Sequence, residues 1–186
     1  MSKSSSRASS ERGPANATSG GRASASRGGN RHATAHSPQG GQRGGRHRAR
    51  ELVLQGLYQW LLARTPPPAI RAQLADSPGF AKCDTALFDG LWQGVTSEFD
   101  TLIAAFAPYL DRVPDQLSPI EKSILAMGAW ELLRAPETPY RVAINEAVEL
   151  AKAYGGTDGH KYVNGVLDKL AAATRAAEVS AARAAG

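Results

Sequence analysis

Between Ser2 and Arg50 the chain contains no Val, Ile, Leu, Met, Phe, Trp or Tyr. A segment with nothing to bury cannot offset the entropy of being ordered, so residues 1–45 are expected to form a disordered tail. The nine glycines within residues 1–50 agree with that. Cysteine is nearly absent: Cys83 stands alone, which excludes an intramolecular disulfide and suits a reducing cytoplasm. Apolar runs of the ~20 residues a membrane helix needs are missing, so no membrane partner is expected. The basic start is not followed by an apolar segment, which argues against a secretory signal. Of the four histidines, His32, His36 and His47 lie in or beside the tail and only His160 lies far from it, so no metal cluster is expected. There is no Walker loop, and Gly155-Gly156 reads as a turn rather than a dinucleotide fingerprint. Glu146 and Glu149 read as a solvated helix face rather than an acid–base pair. No catalytic residue, cofactor or metal is assigned.

Charge is divided unevenly. Residues 1–50 hold ten Lys or Arg against one acid, whereas residues 51–186 hold twelve against sixteen. The basic character therefore belongs to the N-terminus. Arg7, Arg12, Arg22, Arg27, Arg31 and Arg43 are dispersed, as in a polycation that adds nonspecific RNA affinity; a solubilising extension without selected contacts is the competing reading.

Beyond the tail the periodicity is helical throughout. A first helix is expected from near Arg46 to about Arg64, stopped by Pro66-Pro67-Pro68, with Val53, Leu54, Leu57 and Leu61 on its core face. Arg48, Glu51, Gln55, Tyr58 and Gln59 fall on the other side. Arginines at a helix N-terminus oppose the helix dipole, and a polyanion would remove that conflict. Arg46, His47, Arg48 and Arg50, beside the basic tail, therefore point to an RNA surface, which Gln55 and Tyr58 continue. Ala69–Ala75 makes a short helix at best. Asp84–Leu110 is helical, with Phe88 and Trp92 in the core and a bend near Gly94 and Thr96. Ser118-Pro119-Ile120-Glu121 is a capping box opening the next helix, in which Ile124, Leu125, Met127, Gly128, Leu132 and Leu133 face inward and Gly128 marks a close crossing.

Pro139 to Leu170 reads as a helical hairpin. Thr138 is the expected N-cap, with Pro139 in the first turn. Ile144, Ala147, Val148, Ala151 and Tyr154 form the buried stripe, opposite Asn145, Glu149 and Lys152. Gly155 is expected to close the helix in a left-handed conformation, and Thr157 or Asp158 to cap the next one. Val163, Val166, Leu167 and Leu170 make the second stripe. Asn145 and Asn164 are expected to be buried hydrogen-bonding residues. Asp158, Tyr162 and Lys169 share one strip of the second helix. Sequence after Ala171 is expected to fray past Arg175, leaving residues 179–186 as a loose end. The fold class is all-α, six or seven helices in two packed three-helix-bundle-like groups, over residues 46–178.

The blocks Val142–Lys152 and Lys161–Asp168, with Arg48–Glu51 through Leu57-Tyr58 and Ile120–Lys122 through Glu131-Leu132, resemble the signature of the NusB family of bacterial transcription antitermination factors. The resemblance spans about residues 46–175, with His47 standing where that family often carries arginine. It implies two antiparallel three-helix bundles and binding to boxA-type single-stranded RNA of nascent ribosomal RNA. It further implies a partnership with NusE, a small-subunit ribosomal protein, in the RNA polymerase antitermination complex. On that basis Asp158, Tyr162 and Lys169 join Arg46, His47, Arg48, Arg50, Gln55 and Tyr58 as RNA-binding candidates. Tyr162 would stack on an unpaired base or else be an ordinary half-buried tyrosine. Glu121 is the partner-binding candidate. The alternative function is a helical protein–protein interaction module with only incidental RNA binding. An enzyme reading, by likeness to NusB-like domains ahead of ribosomal RNA methyltransferases, is not expected, since 186 residues leave no room for a cofactor-binding sheet.

Overall fold

The computed structural model describes residues 38–184, and side chains from residue 44 onward. Seven α-helices occur among the described residues: α1 (Pro38–Ala63), α2 (Pro67–Ala75), α3 (Thr85–Phe106), α4 (Pro119–Arg134), α5 (Tyr140–Tyr154), α6 (Gly159–Thr174) and α7 (Ala176–Ala184). Three single-turn 3-10 segments sit in the connections, and no strand occurs among the described residues. The all-α expectation holds. The tail expected to be disordered lies, as far as residue 37, outside the described residues. Helix α1 begins at Pro38, not near Arg46. Extending an anchored helix costs far less than nucleating one, and proline suits a first turn whose N–H groups have no partner.

Helix α4 is the hub. It packs on α1, α3, α5 and α6, and from Ser123 to Ala129 every residue is buried. A helix that is apolar all round can only sit inside. Its start is the expected capping box: Ser118 Oγ accepts from the Glu121 N–H at 3.2 Å, and the Ser118 N–H donates to Glu121 Oε2 at 3.0 Å. Gly128 gives the expected close crossing, since a Cβ there would lie 2.6 Å from Leu167 Cδ1 on α6. Val163, Val166, Leu167 and Leu170 are all buried, as are Phe88 and Trp92 on α3. The groups α1–α3 and α4–α6 thus share one continuous hydrophobic core.

Several local expectations are corrected. The break in α3 falls at Glu98 (φ −113°, ψ 16°) rather than at Gly94 or Thr96. Thr96 Oγ1 donates to the Trp92 carbonyl at 2.7 Å, a back-bond that bends helices, and the distortion appears two residues on. Pro139, not Thr138, is the N-cap of α5, and Thr138 is buried with its hydroxyl unpartnered. Gly155 is extended (φ −85°, ψ 175°), not left-handed; glycine is needed because a Cβ would lie 2.5 Å from the Ala151 carbonyl oxygen. The left-handed residue is Asp158, at φ 63°. Asn145 is exposed, and Asn164 donates to Asp168 at 2.7 Å on the solvent side, so neither pins the core.

Up to residue 184 the C-terminal segment is helical where fraying past Arg175 was expected. Val179 of α7 is buried, and Arg175 explains why. Its guanidinium donates to the carbonyls of Glu131 (3.1 Å), Leu132 (2.8 Å) and Ala135 (2.9 Å) at the end of α4, and the Leu132 carbonyl has no helical donor because Pro136 carries no N–H. Glu178, held by Arg175 at 2.8 Å, accepts from the Tyr140 N–H at 2.9 Å and so caps α5 from outside that helix. That backbone donor, with Arg175, holds the Glu178 carboxyl below the ordinary glutamate range. Glu178→Ala should therefore cost about 1 kcal/mol or less, because the carboxylate is partly exposed and screened. A depressed folded pKa stabilises above the unfolded value and is lost as pH falls through the folded one. The difference between variant and parent in thermal melts should thus be full at neutral pH and fade on acidification below pH ~4.

Candidate nucleic-acid interface

The N-terminal half of α1 carries basic residues, and carboxylates meet them from α1 itself, from the N-cap of α3 and from α4 and α5. Arg50 points inward and is 2% exposed, as is its partner Glu131 on α4. Its Nε donates to Glu131 Oε2 at 3.0 Å and Nη2 to Oε1 at 2.6 Å, a two-point fork. Glu146 on α5 lies 3.5 Å from Nη1. Burial alone would lower the Arg50 pKa, but the hydrogen bond and charge of Glu131, then Glu146, hold it above its ordinary value. Arg50 is therefore a core ion pair, which corrects its reading as a phosphate contact. Its donors are consumed eighty-one residues away in sequence.

The other three are more exposed but also engaged. His47 Nδ1 lies 2.8 Å from Glu146 Oε2, with Glu51 at 3.8 Å from Nε2. Arg48 donates to Glu51 at 2.9 Å, and Arg46 lies 3.7 Å from Asp84. Glu51 also accepts from the Tyr154 hydroxyl at 2.9 Å. Burial would raise the Glu51 pKa, but Arg48, Tyr154 and His47 together hold it below the usual glutamate value. The same bond pushes the Tyr154 phenol up.

Beside this cluster α1 and the end of α5 leave a pocket of about 230 Å³, lined by Arg48, Glu51, Leu54, Gln55, Tyr58, Ile120 and Tyr154. It unites three residues singled out from the sequence, Arg48, Gln55 and Tyr58, with Glu51, Ile120 and Tyr154. Tyr58 is 41% exposed and Tyr154 48%. Periodicity puts Tyr154 in the buried stripe, seven residues after Ala147. It is the last residue of α5, however, and extends past the core toward Glu51. The Gly155-Gly156 stop immediately after it is the available signal. The pocket offers an apolar floor, two aromatic rings, an amide and a guanidinium, groups suited to an unstacked nucleobase.

The second strip does not join it, for none of Asp158, Tyr162 and Lys169 lines this pocket. Tyr162 is half-buried against the core, its hydroxyl enclosed without a hydrogen-bond partner and its ring covered by the Arg112 guanidinium at 4.6 Å from the centroid. Burial and the nearby Asp111 carboxylate push its phenol up. The half-buried reading of Tyr162 is the one this geometry favours. Asp158 is exposed and paired with Lys161 at 2.7 Å, and Lys169 is exposed. Glu121 is half-buried in its capping box, its second oxygen 3.9 Å from where a Cβ on Gly159 would lie.

Cys83 is half-buried, and burial with Asp84 and Asp89 pushes its thiol up, away from a reactive thiolate. Among the described residues no group of three or more His, Cys, Asp or Glu side chains could hold a metal ion, and no helix is long and apolar enough to cross a membrane.

The sequence model of the NusB family matches residues 47–172. A transcription antitermination protein NusB of Ralstonia nicotianae is 55% identical over 146 residues, which cover 78% of this chain and 94% of that protein. The NusB of Ralstonia pickettii is 57% identical over 138 residues, 74% of this chain and 89% of its own. Among solved structures, T. maritima NusB superposes with a TM-score of 0.61 at 27% identity, covering 67% of this chain and 89% of that one.

Proposed function

Because this chain belongs to the NusB family of transcription antitermination proteins, we propose that it binds boxA-type single-stranded RNA of nascent ribosomal RNA through the pocket between α1 and α5. In this reading it acts in the cytoplasm together with NusE, within the RNA polymerase antitermination complex. The observation that carries the reading is the pair of exposed tyrosines, Tyr58 and Tyr154, on either side of a pocket that also holds Arg48 and Gln55. Aromatic faces grip bases of any sequence, and the amide and guanidinium supply the polar contacts that select among them. Arg46, His47 and Arg48 adjoin the pocket and meet the strand at its edge, while Arg50 holds the helix that presents them. Asp158 and Lys169 are assigned to the periphery of the RNA path. Glu121, at the junction of the α4 and α6 N-termini, is assigned to the NusE-facing side.

Tyr58→Ala should weaken boxA RNA binding by about 1–3 kcal/mol with little change in salt dependence, because stacking involves no counterion release. Tyr154→Phe keeps the ring and loses only the exposed bond to Glu51, so it should bind nearly as the parent does; Tyr154→Ala should fall as Tyr58→Ala does. Filter binding of folded variants decides it. Parent-like affinity in both alanine variants would remove the pocket from the RNA path.

A further inference from the structure

We propose that Glu51 chooses the base at the pocket between α1 and α5, its carboxylate accepting from a base that carries an exocyclic amino group and turning away uracil. The proposal rests on the RNA-binding reading above and names what that pocket selects. Glu51 lines the pocket together with Arg48, Gln55, Tyr58 and Tyr154. Its side chain is 22% exposed, sunk enough to be held in place and open enough to meet a ligand. Arg48 on α1 donates to its Oε2 at 2.9 Å, and the Tyr154 hydroxyl on α5 donates to its Oε1 at 2.9 Å. Each oxygen is thus fixed by one donor. An ionised carboxylate offers about four lone-pair sites, and these two bonds leave about half of them free. Against the pull of burial, Arg48, Tyr154 and His47 hold the carboxyl below the ordinary glutamate range, so its charge is present at neutral pH.

The other polar groups of the pocket do not duplicate this one. A guanidinium only donates, an amide does both, and the Tyr154 hydroxyl proton is already given to Glu51. Glu51 is the group that accepts and never donates. Its negative charge also repels phosphate, so what enters beside it is the base and not the backbone. Adenine, cytosine and guanine each place an amino group at a corner of the pairing edge, where a carboxylate oxygen can accept from it. Uracil has only its N3–H, set between two carbonyls. An oxygen that meets that N–H brings its charge against a carbonyl on either side. A carboxylate that served only to hold Arg48 and Tyr154 in place would give no such preference.

The test is equilibrium binding of the full chain to oligocytidine and oligouridine of equal length, at fixed salt and neutral pH, with a boxA-containing strand as reference. The two pyrimidines match in size and charge and differ in their edges. The unaltered chain should bind oligocytidine about tenfold more tightly, the share of one hydrogen bond to a charged group. Glu51→Gln should bring that ratio close to one, because an amide meets an amino group or a carbonyl by turning over. Oligocytidine should weaken while oligouridine holds or tightens, since a negative charge facing a polyanion is gone. A strand of 2-pyrimidinone, which is cytosine without its amino group, should bind the unaltered chain as weakly as oligouridine does. That arm needs no substitution in the protein, so it stands even if the Gln variant folds poorly. Three results would each overturn the proposal: equal affinity of the unaltered chain for both strands, a parent-like ratio in folded Glu51→Gln, or a 2-pyrimidinone strand as tight as oligocytidine. Continued binding to the boxA strand would then leave the RNA reading standing. Failure of the unaltered chain to bind the boxA strand would overturn both.

Discussion

Arg50→Ala is expected to lower the stability of the domain by about 3–5 kcal/mol, a fall in melting temperature of roughly 10–15 °C. The cause is the charge left behind. Glu131 is 2% exposed and loses both donors of its fork, while Glu146 loses a neighbouring cation. Glu131→Ala should cost a similar amount by stranding Arg50 instead. The combination Arg50→Met with Glu131→Leu separates the pair's geometry from its charge, because replacing both members with apolar groups of similar volume is often neutral or stabilising. Melts in which the double variant is far more stable than either single alanine variant fit a buried pair. If Arg50→Ala melts within about 2 °C of the parent, the pair is open to water and the core assignment of Arg50 is wrong.

Val163→Asp is expected to be the most damaging single change, on the order of 4 kcal/mol or more. Val163, on α6, is 0% exposed and belongs to the hydrophobic core. Against a total stability of about 5–15 kcal/mol, that loss brings the domain close to unfolding. Circular dichroism should then record a broad or absent thermal transition at 25 °C and above. A sharp melt near the parent temperature would place Val163 at the surface and break the α6 stripe.

What the sequence made legible was local. The capping box at Ser118 and Glu121 needs only four consecutive residues, and it is present as expected. The α6 stripe and the Gly128 crossing follow from helical periodicity and the size of one side chain. The Arg50–Glu131 fork is hidden because it joins residues eighty-one positions apart, so Arg50 looks like one more member of a basic cluster. Counting charges along the chain cannot tell which carboxylates packing will bring to them. Tyr154 and Asn145 depart from expectation for a related reason. Periodicity assigns a side of the helix, but how far the neighbouring helices extend along that side decides burial. Arg175 reads as the edge of fraying sequence, whereas its value lies in the carbonyls at the end of α4, which only the fold places beside it. The pocket between Tyr58 and Tyr154 is half legible: the sequence marks the α1 side and not the α5 side.

Recognition of one kind of RNA by this folded face is tested most simply by equilibrium binding of the unaltered chain. Its affinity for a boxA-containing single strand and for a scrambled strand of equal length should be measured at fixed salt, with and without NusE. Tighter binding to boxA than to the scrambled strand is expected, with a larger preference when NusE is present. Equal affinity for both strands under both conditions would contradict that recognition.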